Sequence, residues 1–242
     1  MDVGEGREQD AEASPARLPV RLALFRGRSF AARRRSHNSI DKQPRLTPGF
    51  RNKHLDVAEN TSMAIKATIF KANYQITDMD RHYYQDHSLT LARHPSETDE
   101  RMMLRLLAFA HHASDTLTFT RGLSSSDEPD LWQKDLTGTI ERWIELGQPE
   151  EKRIRKACGR AQQVIIYCYS GNSARIWWEQ TGARLANIKN LTVLNIPSEN
   201  SKALAQLAQR NMQLQATIQD GDIWITDNET SVEVTPETWQ HA

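Results

Sequence analysis

The chain is 242 residues long and sets 31 Lys+Arg against 31 Asp+Glu, a net charge of zero. That length allows one or two domains, and no run of about 18 apolar residues exists to span a membrane. Its two cysteines, Cys158 and Cys168, lack metal-site spacing and read as reduced thiols in a cytoplasmic protein.

The first 62 residues differ in kind from the rest. They hold 12 Lys+Arg and 8 Asp+Glu, with Arg33-Arg34-Arg35, scattered Pro and Gly, and no sustained apolar period. Such a segment cannot bury enough surface to offset its ordering entropy, so a disordered basic leader is predicted. Asp2, Glu5, Glu8, Asp10 and Glu12 spoil an organelle-import pattern. An alternating strand begins directly after Met63, which makes Met63 a candidate true start and residues 1–62 upstream sequence read in frame. Residues 63–242 are then expected to form a single domain. They carry 19 Lys+Arg and 23 Asp+Glu, a balance that argues against a protein coating nucleic acid but permits a local basic groove.

Residues 65–76 alternate as a strand, 77–80 form a polar turn, and 82–93 read as a second, antiparallel strand. His94-Pro95-Ser96 opens a helix that Ser96 can cap, with Met103, Leu106, Leu107 and Ala110 as its buried stripe and Glu100 bordering it. Residues 117–121 form a short strand and 122–129 a polar loop. Asp130-Leu131-Trp132 starts another short strand, which turns at 135–138 into the strand 139–146. A basic helix over 150–161 follows Gly147-Gln148-Pro149, with Ile154, Ala157, Cys158 and Ala161 inward. Residues 164–169 are continuously apolar, as in a strand covered on both faces. A helix containing Ile176-Trp177-Trp178, a strand over 191–196 and a helix from Pro197-Ser198 come next. Asp220-Gly221-Asp222 marks a hairpin between 213–219 and 223–227, and 231–234 adds a short strand. The fold class is mixed α/β, and the order from 96 to 169 describes an α-β-β-β-α-β core.

The strand 139–146 draws notice because side chains alternate along it. Glu141, Trp143 and Glu145 fall on one face, while Ile140, Ile144 and Leu146 fall on the other. Carboxylates on an otherwise apolar strand, followed by Lys152, Arg153, Arg155, Lys156 and Arg160, are the chemistry of metal-dependent phosphodiester sites. They are equally the look of a partly exposed strand beside a solvated helix. Trp177-Trp178 reads mainly as packing, with base stacking as the sharper alternative. His111-His112 lacks a ligand partner and reads as structural.

Several blocks together resemble the YaeQ family of bacterial proteins: His94-Pro95-Ser96-Glu97-Thr98, Glu100-Arg101-Met102-Met103, Thr120-Arg121-Gly122-Leu123, Trp143-Ile144-Glu145-Leu146-Gly147 with Pro149, Ile176-Trp177-Trp178, and 214–221. The resemblance covers 63–242 and none of 1–62. It implies a fold similar to the PD-(D/E)xK, restriction-endonuclease-like superfamily, whose nucleases hold Mg²⁺ on carboxylates and position a nucleophile with lysine. What it implies here is a catalytic set of Glu100, Glu141, Glu145 and Lys156, with Glu97 a substitute for Glu100 and Lys152 for Lys156. Mg²⁺ or Mn²⁺ would sit on Glu141, Glu145 and Glu100, Arg153 and Lys156 would contact nucleic acid, and no organic cofactor is implied.

This sequence departs from that pattern at Trp143, which stands where Glu141-Arg142-Trp143 should end in lysine. Glu141 and Glu145 lie about 13 Å apart along a strand, so only one can belong to a shared metal. Pro129-Asp130 matches two letters of the motif, but Asp130 reads first as an ordinary turn residue. Two functions stay open: Mg²⁺-dependent hydrolysis of nucleic acid, or a noncatalytic module of the same fold acting through a protein or nucleic-acid partner.

Overall fold

A computed structural model describes residues 67–125 and 127–242. By internal contacts the chain divides into Met1–Glu59 and Asn60–Ala242; the first unit lies outside the described residues, as do the rest of the expected leader and the Met63 start.

The elements run β1 (Thr68–Asp78), β2 (Tyr83–Arg93), α1 (Asp99–His111), β3 (Leu117–Phe119), β4 (Leu131–Lys134), β5 (Ile140–Leu146), α2 (Glu151–Cys158) and β6 (Ala161–Cys168). They continue with α3 (Asn172–Leu185), β7 (Leu191–Asn195), α4 (Ser198–Gln206), β8 (Asn211–Gln219), β9 (Asp222–Thr226), β10 (Ser231–Val234) and β11 (Glu237–Gln240). The fold is mixed α/β, and α1-β3-β4-β5-α2-β6 is the expected core order. Two sheets form, β10-β9-β8-β1-β2 and β11-β7-β6-β5-β4-β3. β5, β6 and β7 are parallel, joined through α2 and α3, while β1 pairs in parallel with β8 across most of the chain's length.

Helix α1 is the centre of the larger core. All nine residues Met102–Ala110 are buried, because α1 and α4 lie with the inner faces of both sheets in one apolar cluster. The expected single stripe is therefore too narrow: Met102, Leu104, Ala108 and Phe109 are apolar on the remaining sides, as a helix covered all round requires. Each fully buried Leu or Met contributes about 1.5–3 kcal/mol over its exposed state. A second cluster covers the opposite face of the six-stranded sheet, with Trp143, Ile154, Val164, Ala174 and Leu185 packed together.

Four details differ from the sequence reading. Thr98, not Ser96, caps α1, accepting from Arg101 N at 3.2 Å; Ser96 is held instead by His94 Nδ1 at 2.7 Å. Helix α2 stops at Cys158, so Ala161 begins β6 rather than completing the helical stripe. Ile140 joins the Trp143 cluster, since the β4–β5 register shifts between Gln133 and Lys134 and leaves Glu141 as an extra residue on β5. Such a bulge breaks the alternation on which the face assignment rested. Strand β11 had no signal in the sequence reading.

Candidate functional site

Asp130 enters β4 at a corner that fixes its side chain. Its backbone N–H donates to Ile144 O at 3.0 Å, and its Oδ2 accepts from Leu146 N at 2.9 Å. The carboxylate thus completes the β4–β5 ladder, which is why it lies buried rather than in a solvated turn. Across from it, Arg101 on the first turn of α1 donates Nη1 to Oδ1 at 2.6 Å and Nη2 to Oδ2 at 2.9 Å. Burial works against the Arg101 charge, but Asp130 beside it outweighs that and raises its pKa. Arg101 also lies 3.5 Å from buried Glu97, which accepts from Arg105 at 3.1 and 3.2 Å. Asp130, Arg101, Glu97 and Arg105 form one alternating chain of charges.

Glu145 on β5 stands beside this chain. Trp143 Nε1 donates to its Oε2 at 3.0 Å, and Arg153 Nε from α2 donates to its Oε1 at 2.5 Å. Burial raises the Glu145 pKa, opposed by its bonds to Arg153 and Trp143 and assisted by the nearby charge of Asp130. Arg101, Asp130, Glu145, Arg153 and Glu128 line one cavity of about 260 Å³, with Gly122 and Leu123 also on its wall. Gly122 has a φ of 52°, and a Cβ there would reach 3.4 Å from Asp130 Oδ1.

The structure brings together only part of the set expected from sequence. Glu145 and Arg153 are in the cavity and bonded to each other. Glu100 is half-buried and accepts from Ser201 Oγ at 2.6 Å, tying α1 to α4. Glu141 faces the other end of the strand, accepting from Gln133 Nε2 at 2.6 Å. Lys156 is exposed and donates to Asp127 at 2.6 Å rather than reaching the cavity acids. Asp130, Arg101, Glu97 and Arg105 are the residues the sequence reading did not assemble. The Pro129-Asp130 letters were the one signal for Asp130, and an Arg set among Leu104, Leu106 and Leu107 was the signal for Arg105.

As folded, these residues do not fit a divalent cation. Both Asp130 oxygens and both Glu145 oxygens are engaged by N–H donors, and Arg101 and Arg153 supply the positive charge a metal would bring. Among the described residues no group of three His, Cys, Asp or Glu side chains is placed to hold a metal.

The model of the YaeQ protein family matches residues 63–236. The chain belongs to the YaeQ family. Uncharacterized protein YaeQ of Escherichia coli K12 is 48% identical over 178 residues, covering 74% of this chain and 98% of that one. The Salmonella typhi protein of the same description also matches at 48%. The crystal structure of YaeQ from Xanthomonas axonopodis pv. citri superposes with a TM-score of 0.71 at 48% identity, covering 73% of this chain and 99% of its own. That from Pseudomonas syringae gives 0.70 at 34% identity, with 73% and 97% covered. Among the described residues no helix is long and apolar enough to cross a membrane.

Proposed function

We propose that this YaeQ protein is a noncatalytic derivative of a nuclease-like scaffold that binds a nucleic-acid backbone along α2 in the cytoplasm. The observation that carries this reading is the neutralisation of Asp130 by Arg101 and of Glu145 by Arg153. Where a phosphodiester hydrolase needs open carboxylate oxygens and a lysine, this site offers bonded oxygens, with Trp143 or Gly147 two residues after a strand acid. Beside it, the outward face of α2 and the turn after it expose Lys152, Arg155, Lys156 and Arg160. Glu151 and Asp127 temper that face, but exposed pairs are worth little and yield readily to phosphate.

Fluorescence anisotropy with labelled single- and double-stranded DNA and RNA tests this directly. Binding should weaken steeply with salt, fall in the Lys152→Glu/Arg160→Glu double variant, and need no Mg²⁺, with no cleavage when Mg²⁺ is added. Salt-independent binding, or none, discards the reading.

A second reading, Mg²⁺- or Mn²⁺-dependent hydrolysis, is favoured by one fact: Asp130 and Glu145 line the same cavity. It requires saturable Mn²⁺ binding by calorimetry that Asp130→Asn abolishes, together with product from a nucleic-acid substrate.

A further inference from the structure

A cleft of about 640 Å³ lies away from the Asp130 cavity, at the carboxyl ends of β6 and β7. There the chain parts: α3 leaves β6 to pack in the Trp143 cluster, while α4 leaves β7 to pack with α1 in the larger core. Adjacent parallel strands whose connections depart to opposite faces open a crevice suited to ligands. The amino-terminal ends of both helices line this one, and neither has a side-chain cap. The two turns approach closely, since a Cβ on Gly171 would lie 3.4 Å from Ser198 Cβ and Oγ. Exposed Arg175 stands one turn into α3.

An independent feature points to a ligand. Asn195, at the end of β7 on the cleft wall, is 8% exposed. Its Nδ2 donates to Glu237 at 2.9 Å, which fixes the amide so that Oδ1 is the remaining acceptor. That Oδ1 has no protein partner, and a buried acceptor left without a donor is costly. Trp178 and Trp239 are stacked at 5.8 Å and form an apolar wall.

Charge decides which ligand fits. Two helix amino termini and Arg175 favour an anionic group. Asn195 Oδ1 and the Glu237 carboxylate favour an ammonium, and Glu179 and Glu199 on the rim oppose a phosphate dianion. We infer that this cleft binds a small zwitterion of the α-amino-acid type. Its carboxylate lies at the helix termini beside Arg175, its ammonium at Asn195 and Glu237, and its side chain along Trp178 and Trp239.

The test is calorimetric titration of the full chain with each of the common L-amino acids at millimolar concentration, followed by Trp fluorescence. At least one should bind saturably, and its N-acetyl and decarboxylated forms should each bind roughly tenfold or more weakly, having lost one charged end. Arg175→Ala, an exposed change, should weaken the amino acid and leave its decarboxylated form unaffected; Asn195→Ala should weaken both. Thermal unfolding of each variant separates lost binding from lost folding. No saturable binding by any amino acid overturns the inference. So does equal binding of the N-acetyl form, or nucleoside monophosphates binding in place of amino acids.

Discussion

Arg101 grips Asp130 in a two-pronged fork, 2.6 Å on one oxygen and 2.9 Å on the other, with the Asp130 side chain 2% exposed. A bidentate guanidinium–carboxylate pair is among the stronger polar contacts, and its removal from one side leaves the other charge stranded.

Arg101→Met keeps the aliphatic bulk and removes the fork, so it is expected to cost about 3–5 kcal/mol. Asp130→Asn in the same chain should recover part of that, because the stranded carboxylate is then gone. Urea unfolding of the four proteins gives a coupling energy of about 0.5–3 kcal/mol if the pair is coupled. Strictly additive losses would show that it is not.

How far the sequence revealed this site follows from what each residue depends on. The helices, most strands and the core order were legible because periodicity of apolar side chains is a local property. Glu145 and Arg153, which share the cavity, drew notice because they flank a recognisable strand-to-helix turn. The Asp130–Arg101 pair was not, because its partners are 29 residues apart, on a helix and at a strand entry, and local periodicity does not report which distant side chains meet. Glu141 was not separable from Glu145 for a related reason: a single bulge, invisible in composition, places it with Gln133 instead of Glu145. Strand β11 depends wholly on an edge offered by β7, so nothing inside its four residues announced it.

Glu145 carries a pH signature that separates burial from pairing. Its pKa is raised above 4.5, first by burial, so the folded state holds its proton longer than the unfolded state does. As pH climbs past 4.5, the unfolded chain ionises first and stability falls, until the folded group ionises too. Glu145→Gln removes that loss while keeping an acceptor for Trp143. Its stability relative to wild type should therefore rise as pH climbs above about 4.5 in urea titrations, and level off once the folded group has ionised. A difference that stays flat would mean that Arg153 fully compensates the burial.

Gly182 should resist a change that ordinarily stabilises helices. In the interior of α3 an alanine is normally worth about 0.5–1 kcal/mol over glycine. Here its Cβ would meet the Trp178 ring at 2.9 Å, and that ring is stacked on Trp239. Gly182→Ala is expected to reverse the usual sign, costing about 1–3 kcal/mol by overpacking. A changed Trp emission on the folded protein would show that the indole pair had moved. A more stable variant with unchanged emission would mean that the ring has room.

The strongest acid sensitivity should come from a pair of histidines remote from the Asp130 cavity. The Tyr167 hydroxyl lies 2.7 Å from His111 Nδ1 and 2.9 Å from His112 Nε2, and the two imidazoles stack at 4.6 Å. Burial, followed by the nearby Arg81 charge, pushes the His111 pKa down to about 4. Burial also holds His112 well below 6.5, with His111 and Arg142 adding to it. A depressed histidine is neutral in the folded state while the unfolded state takes up a proton. Stability is therefore full above about pH 6.5 and is lost as pH falls toward the folded value, by about 1.4 kcal/mol per pH unit for each group. His112→Gln keeps an amide able to meet the Tyr167 hydroxyl but does not titrate. It is expected to remove one proton's share of the slope between about pH 6 and about pH 4.5, whatever it does to stability at neutral pH. Urea unfolding across that range measures the slope directly. A slope identical to wild type would mean that His112 is already protonated in the folded protein, and that the Tyr167 hydroxyl accepts from it as a cation.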